Sequence, residues 1–266
     1  MGSIGFIGAG NMAEALIGGI VKKEIYDPSK IVVYDISEDR LTLLRETYKV
    51  IVAKDSRQLL NEVSAVVLAV KPSVLPLVVD ELKTQLKENL VISIAAGISI
   101  DFIMNALGRD ARVIRVMPNT PALVGEGASA LAASVNCSDE DMACARNIFS
   151  AVGMCLEMEE GLLNAVTALS GSGPAFGFLF IEALADGGVR SGLPRDAALA
   201  LAAATLKGAA AMVEGTGSQP GKLKDMVTSP AGTTIEGVSV LESRGFRSAV
   251  IDAVFAAYKR ACDLTK

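Results

Sequence analysis

The stretch SIGFIGAGNMA, residues 3–13, decides the fold of the N-terminal half of this chain. A short apolar run leads into a G-x-G-x-x-A pattern, and a helical segment follows. The first glycine permits a tight turn, the second lets the backbone approach a pyrophosphate, and the small third residue packs helix on strand. Amides at a helix N-terminus also favour a phosphate. An ordinary strand–helix turn is the alternative. The pattern predicts a dinucleotide site built from Gly8, Ala9, Gly10, Asn11 and Met12.

Outward from this stretch, apolar strands alternate with helical segments through the first half of the chain. Strands are predicted at 3–7, 31–34, 65–70, 90–95, 112–116, 128–135 and 153–157. Helices are predicted at 11–23, 38–48, 73–88, 99–107 and 138–152. Continuous apolar strands separated by helices indicate a parallel sheet covered on both faces. The first half is therefore predicted to be α/β.

The composition changes after about residue 160. Of the 106 residues from 161 to 266, 20 are alanine, and β-branched runs disappear. Alanine is the best helix former, and its small side chain lets helices approach closely. Helices are predicted at 161–168, 174–191, 194–214, 219–227, 231–243 and 246–264. Such an apolar helical surface needs a cover, and we expect a second copy of the chain to provide it.

The composition also excludes several classes of function. The 266 residues contain no histidine, which rules out a histidine base, a histidine metal ligand and a Ser-His-Asp triad. The four cysteines form no C-x-x-C pair, so reduced thiols and no metal site are expected. A net charge of −5 without a basic run argues against nucleic-acid binding.

The high apolar content, 51% with a mean hydropathy of +0.42, raises the question of a membrane span. The two most apolar stretches, 173–185 and 197–213, are interrupted by Glu182 and Lys207. Neither contains the roughly 20 apolar residues that a transmembrane helix needs. The N-terminus lacks the basic and apolar regions of a signal peptide. We therefore expect a cytoplasmic protein with no membrane contact.

Other candidate cofactor contacts follow the predicted strands. Asp35, 25 residues after Gly10, can accept bonds from ribose hydroxyls and so favours NAD, although a turn residue before a helix is an equal alternative. Arg40 is close enough to meet a 2′-phosphate, which leaves the choice between NADH and NADPH open. The carboxyl ends of parallel strands line the ligand crevice. Three loops there add Ala69, Val70, Lys71 and Pro72, then Ala95, Ala96 and Gly97, and finally Asn119, whose amide can bond a carboxamide.

Two loops precede helices in the second half. One is SGSGP, residues 170–174, and the other is SPAGTT, residues 229–234. A helix N-terminus with several hydroxyl groups is a competent carboxylate site, although plain N-capping by serine and threonine is the simpler alternative.

Together these segments closely resemble the pyrroline-5-carboxylate reductase family. The resemblance is carried by FIGAGNMAEALIGG, AVKP, MPNTPA, LSGSGPAF, ADGGVRSGLPR and MVTSPAGTTIEGVSVLE, which occur in the family's order over nearly the whole chain. It implies NADPH- or NADH-dependent reduction of 1-pyrroline-5-carboxylate to L-proline, the last step of proline biosynthesis. It also implies a Rossmann-type domain over 1–160 and an all-helical dimerisation domain over 161–266. A homodimer is implied, with assembly into a decamer in many members.

The resemblance also assigns residues to the substrate. It implies that Ser229, Gly232, Thr233 and Thr234 hold the substrate carboxylate and ring nitrogen, and that Glu160 lies near the substrate. Among these, Thr234 is expected to be the catalytic hydroxyl that orients the nitrogen. Alternatives are another NAD(P)-dependent oxidoreductase of similar architecture and a dinucleotide-binding sensor without catalysis. The first lacks its expected catalytic lysine or histidine motif, and the second is disfavoured by the intact loop 229–234.

Overall fold

The computed structural model describes residues 2–265 and divides the chain into two compact units. The first contains the chain as far as Ser172 together with residues from Ala257 onward, and the second is Gly173–Ala256. The observed division falls after residue 172, whereas the domains predicted from the sequence meet at 160. Residues 161–172 belong to the first unit because Leu163 and Ala168 are fully buried.

The first unit is built on one sheet of eight strands. Their bounds are β1 Ile4–Ile7, β2 Ile31–Tyr34, β3 Ile51–Val52, β4 Ala65–Leu68, β5 Leu90–Ser93, β6 Val113–Met117, β7 Gly127–Ala133 and β8 Gly153–Glu157. The strand order is β3-β2-β1-β4-β5-β6-β7-β8. All neighbours are parallel except β6 and β7. The sheet is thus mainly parallel, as predicted, and the connection of the antiparallel pair β6–β7 is shorter than the dozen or so residues that a parallel crossover needs.

Helices cover both faces of this sheet. They are α1 Asn11–Lys22, α2 Glu38–Tyr48, α3 Ser56–Glu62, α4 Leu75–Leu82, α5 Ile100–Leu107, α6 Asp139–Ser150 and α7 Leu163–Val166. One buried cluster, with Phe6, Leu16 and Phe149 among its members, lies on one face, and a second cluster, with Leu68 and Ile103, lies on the other. Burying each such side chain contributes about 1.5–3 kcal/mol, so the sheet is a stable platform for the loops at its carboxyl edge.

Short elements account for the differences from the predicted elements. The structure adds β3 and α3, neither of which was predicted, because a two-residue strand and a seven-residue helix carry little periodicity. Several helix starts are capped as the side chains suggest. Ser37 accepts from the Arg40 amide, and Ser138 forms a capping box with Asp141.

The second unit is helical. It contains α8 Gly173–Arg190, α9 Arg195–Thr216, α10 Pro220–Met226, α11 Thr233–Ser243 and the first part of α12 Phe246–Leu264. Helices α8 and α9 pack through the buried Ala185, Ala198 and Ala202. An added Cβ at Gly188 would lie 3.1 Å from the Ala198 Cβ, so these helices are close because their contact residues are small.

Large apolar side chains cover the outside of this second unit. Phe178, Leu179, Ile251 and Phe255 each expose more than half of their surface. Two helical stretches, Glu160–Arg190 and Arg195–Thr216, satisfy the length and hydropathy criteria for a membrane span. Few residues of either stretch are buried within the chain. A monomer rarely exposes so many large apolar side chains, which indicates that the second unit contributes to a contact surface.

Candidate active site

The glycine turn after β1 requires glycine at its first position. Gly8 has φ +104°, and an added Cβ would lie 2.6 Å from the Ala69 carbonyl oxygen. Its amide donates to the Tyr34 carbonyl at 2.9 Å, while the Ala69 amide donates to the Ile7 carbonyl at 2.8 Å. The turn is thereby fixed between the ends of β2 and β4, where a dinucleotide-binding turn belongs.

The N-terminus of α1 has the features of a phosphate cradle. Gly10 is its N-cap and provides no side-chain cap. No atom lies within 4 Å of an added Cβ on Gly10, and both Gly10 and Asn11 are exposed. The first amides of a helix have no intrahelical partner, and the N-cap Gly10 has no side chain to bond them. The backbone of this turn therefore fits the pyrophosphate of a dinucleotide.

Asp35 and Arg40 hold the turn from the side of β2. Asp35 accepts from the Ala9 amide through Oδ2 at 2.6 Å and from the Ser37 amide through Oδ1 at 2.8 Å. The Arg40 Nε donates to the Ala9 carbonyl at 2.6 Å, and its guanidinium pairs with Glu14 at 2.7 Å. Asp35 therefore acts as a turn residue before α2, which is the alternative that its position in the sequence suggested.

A cavity of about 420 Å³ adjoins the glycine turn. Six of the residues predicted to contact the cofactor line it together, namely Gly8, Gly10, Asp35, Ala69, Val70 and Lys71. Ile36, which is 94% exposed, lies at its rim. The cavity combines a charged edge with an apolar floor, as the adenosine half of a dinucleotide requires.

The next loops along the sheet edge form a second, mainly apolar cavity of about 310 Å³. Pro72, Ala96 and Gly97 line it, and Ala95 is buried beneath. Asn164 and Leu264, which the sequence did not single out, complete its wall. Asn164 and Leu264 are far from this loop in sequence, so no local sequence pattern predicts that they line the cavity.

The end of α12 closes this wall. An added Cβ at Gly97 would lie 2.9 Å from the Leu264 carbonyl oxygen. The Thr265 hydroxyl donates to the Asn164 side-chain oxygen at 3.0 Å, and the Asn164 amide nitrogen donates to the Cys262 thiol at 3.7 Å. These contacts hold the last residues of the first unit against its cofactor loop.

Asn119, predicted to bond a carboxamide, is engaged within the protein. Its Nδ2 donates to the Ser170 carbonyl at 3.0 Å, and its Oδ1 accepts from the Ala128 amide at 2.8 Å. It is buried. These bonds join the loop after β6 to the start of β7 and to a π-helical segment, Thr167–Gly171. A π-helical turn is rare and often accompanies a functional site.

Glu160, which the resemblance placed near the substrate, forms a largely buried ion pair. Its Oε1 is 3.0 Å from the Arg115 guanidinium and 2.7 Å from the Ile100 amide. The Arg115 side chain is 4% exposed and that of Glu160 is 31% exposed. Glu160 therefore neutralises a buried charge of β6 and caps the first turn of α5.

The hydroxyl-bearing loop lies in the second unit at the start of α11. Gly232 is the N-cap, and an added Cβ there would lie 2.2 Å from the Ser229 Oγ. The preceding Ala231 has φ +54°, a left-handed conformation that is strained for a residue other than glycine. Neither Thr233 nor Thr234 caps the helix, because Gly232 holds that position without a side-chain bond. The first-turn amides and these hydroxyls are thus available to an anion.

Side chains that could bind a metal ion are not clustered in the part of the chain that the structure describes. Within residues 2–265, no group of three or more cysteine, aspartate or glutamate side chains is arranged to hold a metal ion. All four cysteines are free. Burial raises the pKa of the Cys155 thiol to about 11 and also raises the pKa of Cys137.

Two family models match this chain, one in its N-terminal part and one in its C-terminal part. The family described as "Pyrroline-5-carboxylate reductase dimerisation" matches residues 160–264, and "NADP oxidoreductase coenzyme F420-dependent" matches residues 3–97. Pyrroline-5-carboxylate reductase of Methanosarcina acetivorans is 48% identical over 264 residues, covering 99% of this chain and 98% of the relative.

Two solved structures extend the similarity to the fold. A pyrroline-5-carboxylate reductase from Coxiella burnetii has a TM-score of 0.95 at 40% identity, covering 100% of this chain and 99% of that one. Pyrroline carboxylate reductase of Plasmodium falciparum, with NADP bound, has a TM-score of 0.89 at 32% identity, covering 100% and 98% of the two chains.

Proposed function

The chain belongs to the pyrroline-5-carboxylate reductase family, as an NAD(P)H-dependent oxidoreductase that reduces 1-pyrroline-5-carboxylate to L-proline, and we propose how its residues perform this reaction. The observation that carries the proposal is that each unit contains a helix N-terminus without a side-chain cap. One, at Gly10, follows the dinucleotide turn; the other, at Gly232, follows a loop rich in hydroxyl groups.

The cofactor is held by the first unit. Gly8 to Met12 cradle the pyrophosphate, Asp35 lies beside the adenosine ribose, and the loops 69–72 and 95–97 flank the remainder. The fit is supported by the open space above Gly10 and by the adjoining cavity. When bound, the nicotinamide supplies a hydride to the carbon of the imine.

The substrate is held by the first turn of α11. Its carboxylate accepts from the amides of residues 232–234 and from the Ser229 hydroxyl, where the helix dipole favours negative charge. Thr234 bonds the ring nitrogen and fixes which face of the ring is presented. A cyclic imine is basic enough to arrive partly protonated, so the hydroxyl orients a proton that the substrate already carries. No imidazole is required, which agrees with a sequence without histidine.

Asn119 and Glu160 act as positioning residues within the first unit. The bonds of Asn119 to Ala128 and Ser170 favour a positioning role over the predicted carboxamide contact. The Arg115 pair likewise favours a positioning role for Glu160.

The assembly follows from the exposed helical surface. We propose cofactor-binding and dimerisation domains over 1–160 and 161–266, with the apolar faces covered in a cytoplasmic homodimer. Assembly of dimers into a decamer is the larger form we propose. The exposed Phe178 and Ile251 support a second copy as the cover.

The reaction is tested by following NADH and NADPH oxidation side by side with 1-pyrroline-5-carboxylate. We expect proline to accumulate in step with cofactor oxidation. Thr234→Ala should lower kcat by about 10²-fold while cofactor affinity stays within twofold, since positioning and proton orientation contribute on this scale. Thr233→Ala is the matched control and should affect kcat less. Near-normal turnover in Thr234→Ala would remove this hydroxyl from the mechanism.

A further inference from the structure

Ala9, in the middle of the glycine turn, is bonded by two side chains of opposite charge. Its amide donates to Asp35, and its carbonyl accepts from Arg40, each at 2.6 Å. The Arg40 guanidinium therefore bonds the same residue, Ala9, as the Asp35 carboxylate, which lies beside the proposed ribose position. A cation at this distance from a ribose is the group that would recognise a 2′-phosphate.

Glu14 holds that cation in place. Its Oε2 is 2.7 Å from the Arg40 guanidinium, and each of the two side chains is 28% exposed. Glu14 lies in the first turn of α1, the helix that the glycine turn opens. Arg40 lies in the first turn of α2, directly after β2. The pair thus joins the two elements on either side of the adenosine ribose.

The bonds already made limit what Arg40 can offer a ligand. A guanidinium binds phosphate best through two parallel N–H donors. In this chain one edge of the guanidinium faces the Ala9 carbonyl and Glu14, and the Glu14 carboxylate cancels its charge. Asp35 adds a negative charge on the ribose side.

Resting on the cofactor site proposed above, we propose that Glu14 is a positioning residue for cofactor specificity. It restrains Arg40 on the Ala9 carbonyl, so that the ribose site favours a free 2′-hydroxyl, and NADH, over a 2′-phosphate. Removing the Glu14 charge releases Arg40 to pair with a 2′-phosphate.

The test measures binding of two adenosine ligands to the full chain by calorimetry. Adenosine 2′,5′-bisphosphate carries the 2′-phosphate, and 5′-AMP lacks it. The wild-type chain should bind 5′-AMP at least as tightly as the bisphosphate. Glu14→Gln should bind the bisphosphate about tenfold more tightly and 5′-AMP unchanged, since a charge-assisted hydrogen bond contributes on this scale. Adding Arg40→Gln should abolish the gain.

Glu38→Gln is the matched control. Glu38 is an exposed carboxylate in the first turn of α2, and its replacement changes the net charge equally without touching the Glu14–Arg40 pair. The ligand ratio of this variant should equal that of the wild type. An unchanged ratio in Glu14→Gln, an equal gain in Glu38→Gln, or a gain that survives loss of Arg40 would each overturn the inference.

The same experiment separates this inference from the proposed function. A wild-type chain that binds neither ligand overturns both. A chain that binds 5′-AMP and reduces 1-pyrroline-5-carboxylate, but whose ligand ratio ignores Glu14, overturns only the specificity role.

Discussion

Replacing Glu160 by alanine should destabilise the first unit. The substitution leaves Arg115 on β6, with a side chain 4% exposed, without its ion-pair partner, and it removes the acceptor of the Ile100 amide. Breaking a buried pair by removing one partner costs about 3–5 kcal/mol. Glu160 itself is 31% exposed, so water can reach the vacated position and the low end applies. We expect a loss of roughly 3 kcal/mol in the free energy of unfolding.

The assay is urea denaturation at fixed protein concentration. Unfolding is followed by circular dichroism, because the chain has no tryptophan whose fluorescence could report it. Glu159→Ala is the control, since this neighbouring carboxylate is exposed and should cost less than about 0.5 kcal/mol. Glu160→Gln, which keeps an acceptor but loses the charge, should fall between the two.

Kinetics distinguish the two roles assigned to this residue. A substrate contact at Glu160 would raise KM for 1-pyrroline-5-carboxylate while leaving the unfolding midpoint close to that of the wild type. That combination, or a loss of stability below about 1 kcal/mol in Glu160→Ala, would refute the structural role argued from the ion pair.

Four further substitutions test the site and the core. Gly8→Ala should destabilise the fold by about 1–3 kcal/mol because Gly8 has φ +104°. Gly10→Ala should fold normally and weaken only cofactor binding. Thermal melts and cofactor titrations of both variants measure these two effects. Asn119→Ala should cost about 1–3 kcal/mol in denaturant unfolding because it removes the partners of two partly buried backbone groups. The half-buried Cys155 thiol has its pKa raised to about 11, so the unfolded thiol ionises first and stability should fall as pH rises from about 9 to about 11. Cys155→Ala should flatten that part of the pH profile, and an unchanged profile would contradict it.

Local patterns predicted the elements that position the cofactor. The glycine turn, β1 and α1 were predicted from one stretch, because tight turns and helix starts require particular residues at fixed spacing. The helices of the second unit were predicted within about two residues, since alanine-rich periodic segments carry strong local preferences.

Contacts that join distant parts of the chain were not predictable in the same way. Nothing near Glu160 indicates that its partner is Arg115 on β6, and nothing near Asn119 indicates a bond to Ser170. A ligand contact was expected of Asn119 from its residue type and of Glu160 from the family resemblance, while the fold uses the same polar atoms to bond other groups of the protein. The strand β7 was predicted but its antiparallel direction was not, since strand direction depends on the length of the connection and leaves no mark in strand composition.

The return of α12 to the first unit has a consequence for biosynthesis. Residues from Ala257 onward belong to the cofactor-binding unit, yet they are synthesised only after the whole of the second unit. Until they emerge from the ribosome, Gly97 lacks its contact with Leu264, and Asn164 lacks its bond to Thr265. While the helical second unit is being translated, the cavity beside Gly97 therefore lacks the part of its wall that Leu264 provides. A dinucleotide that binds to the nascent chain at this stage meets a cavity that Leu264 does not yet line.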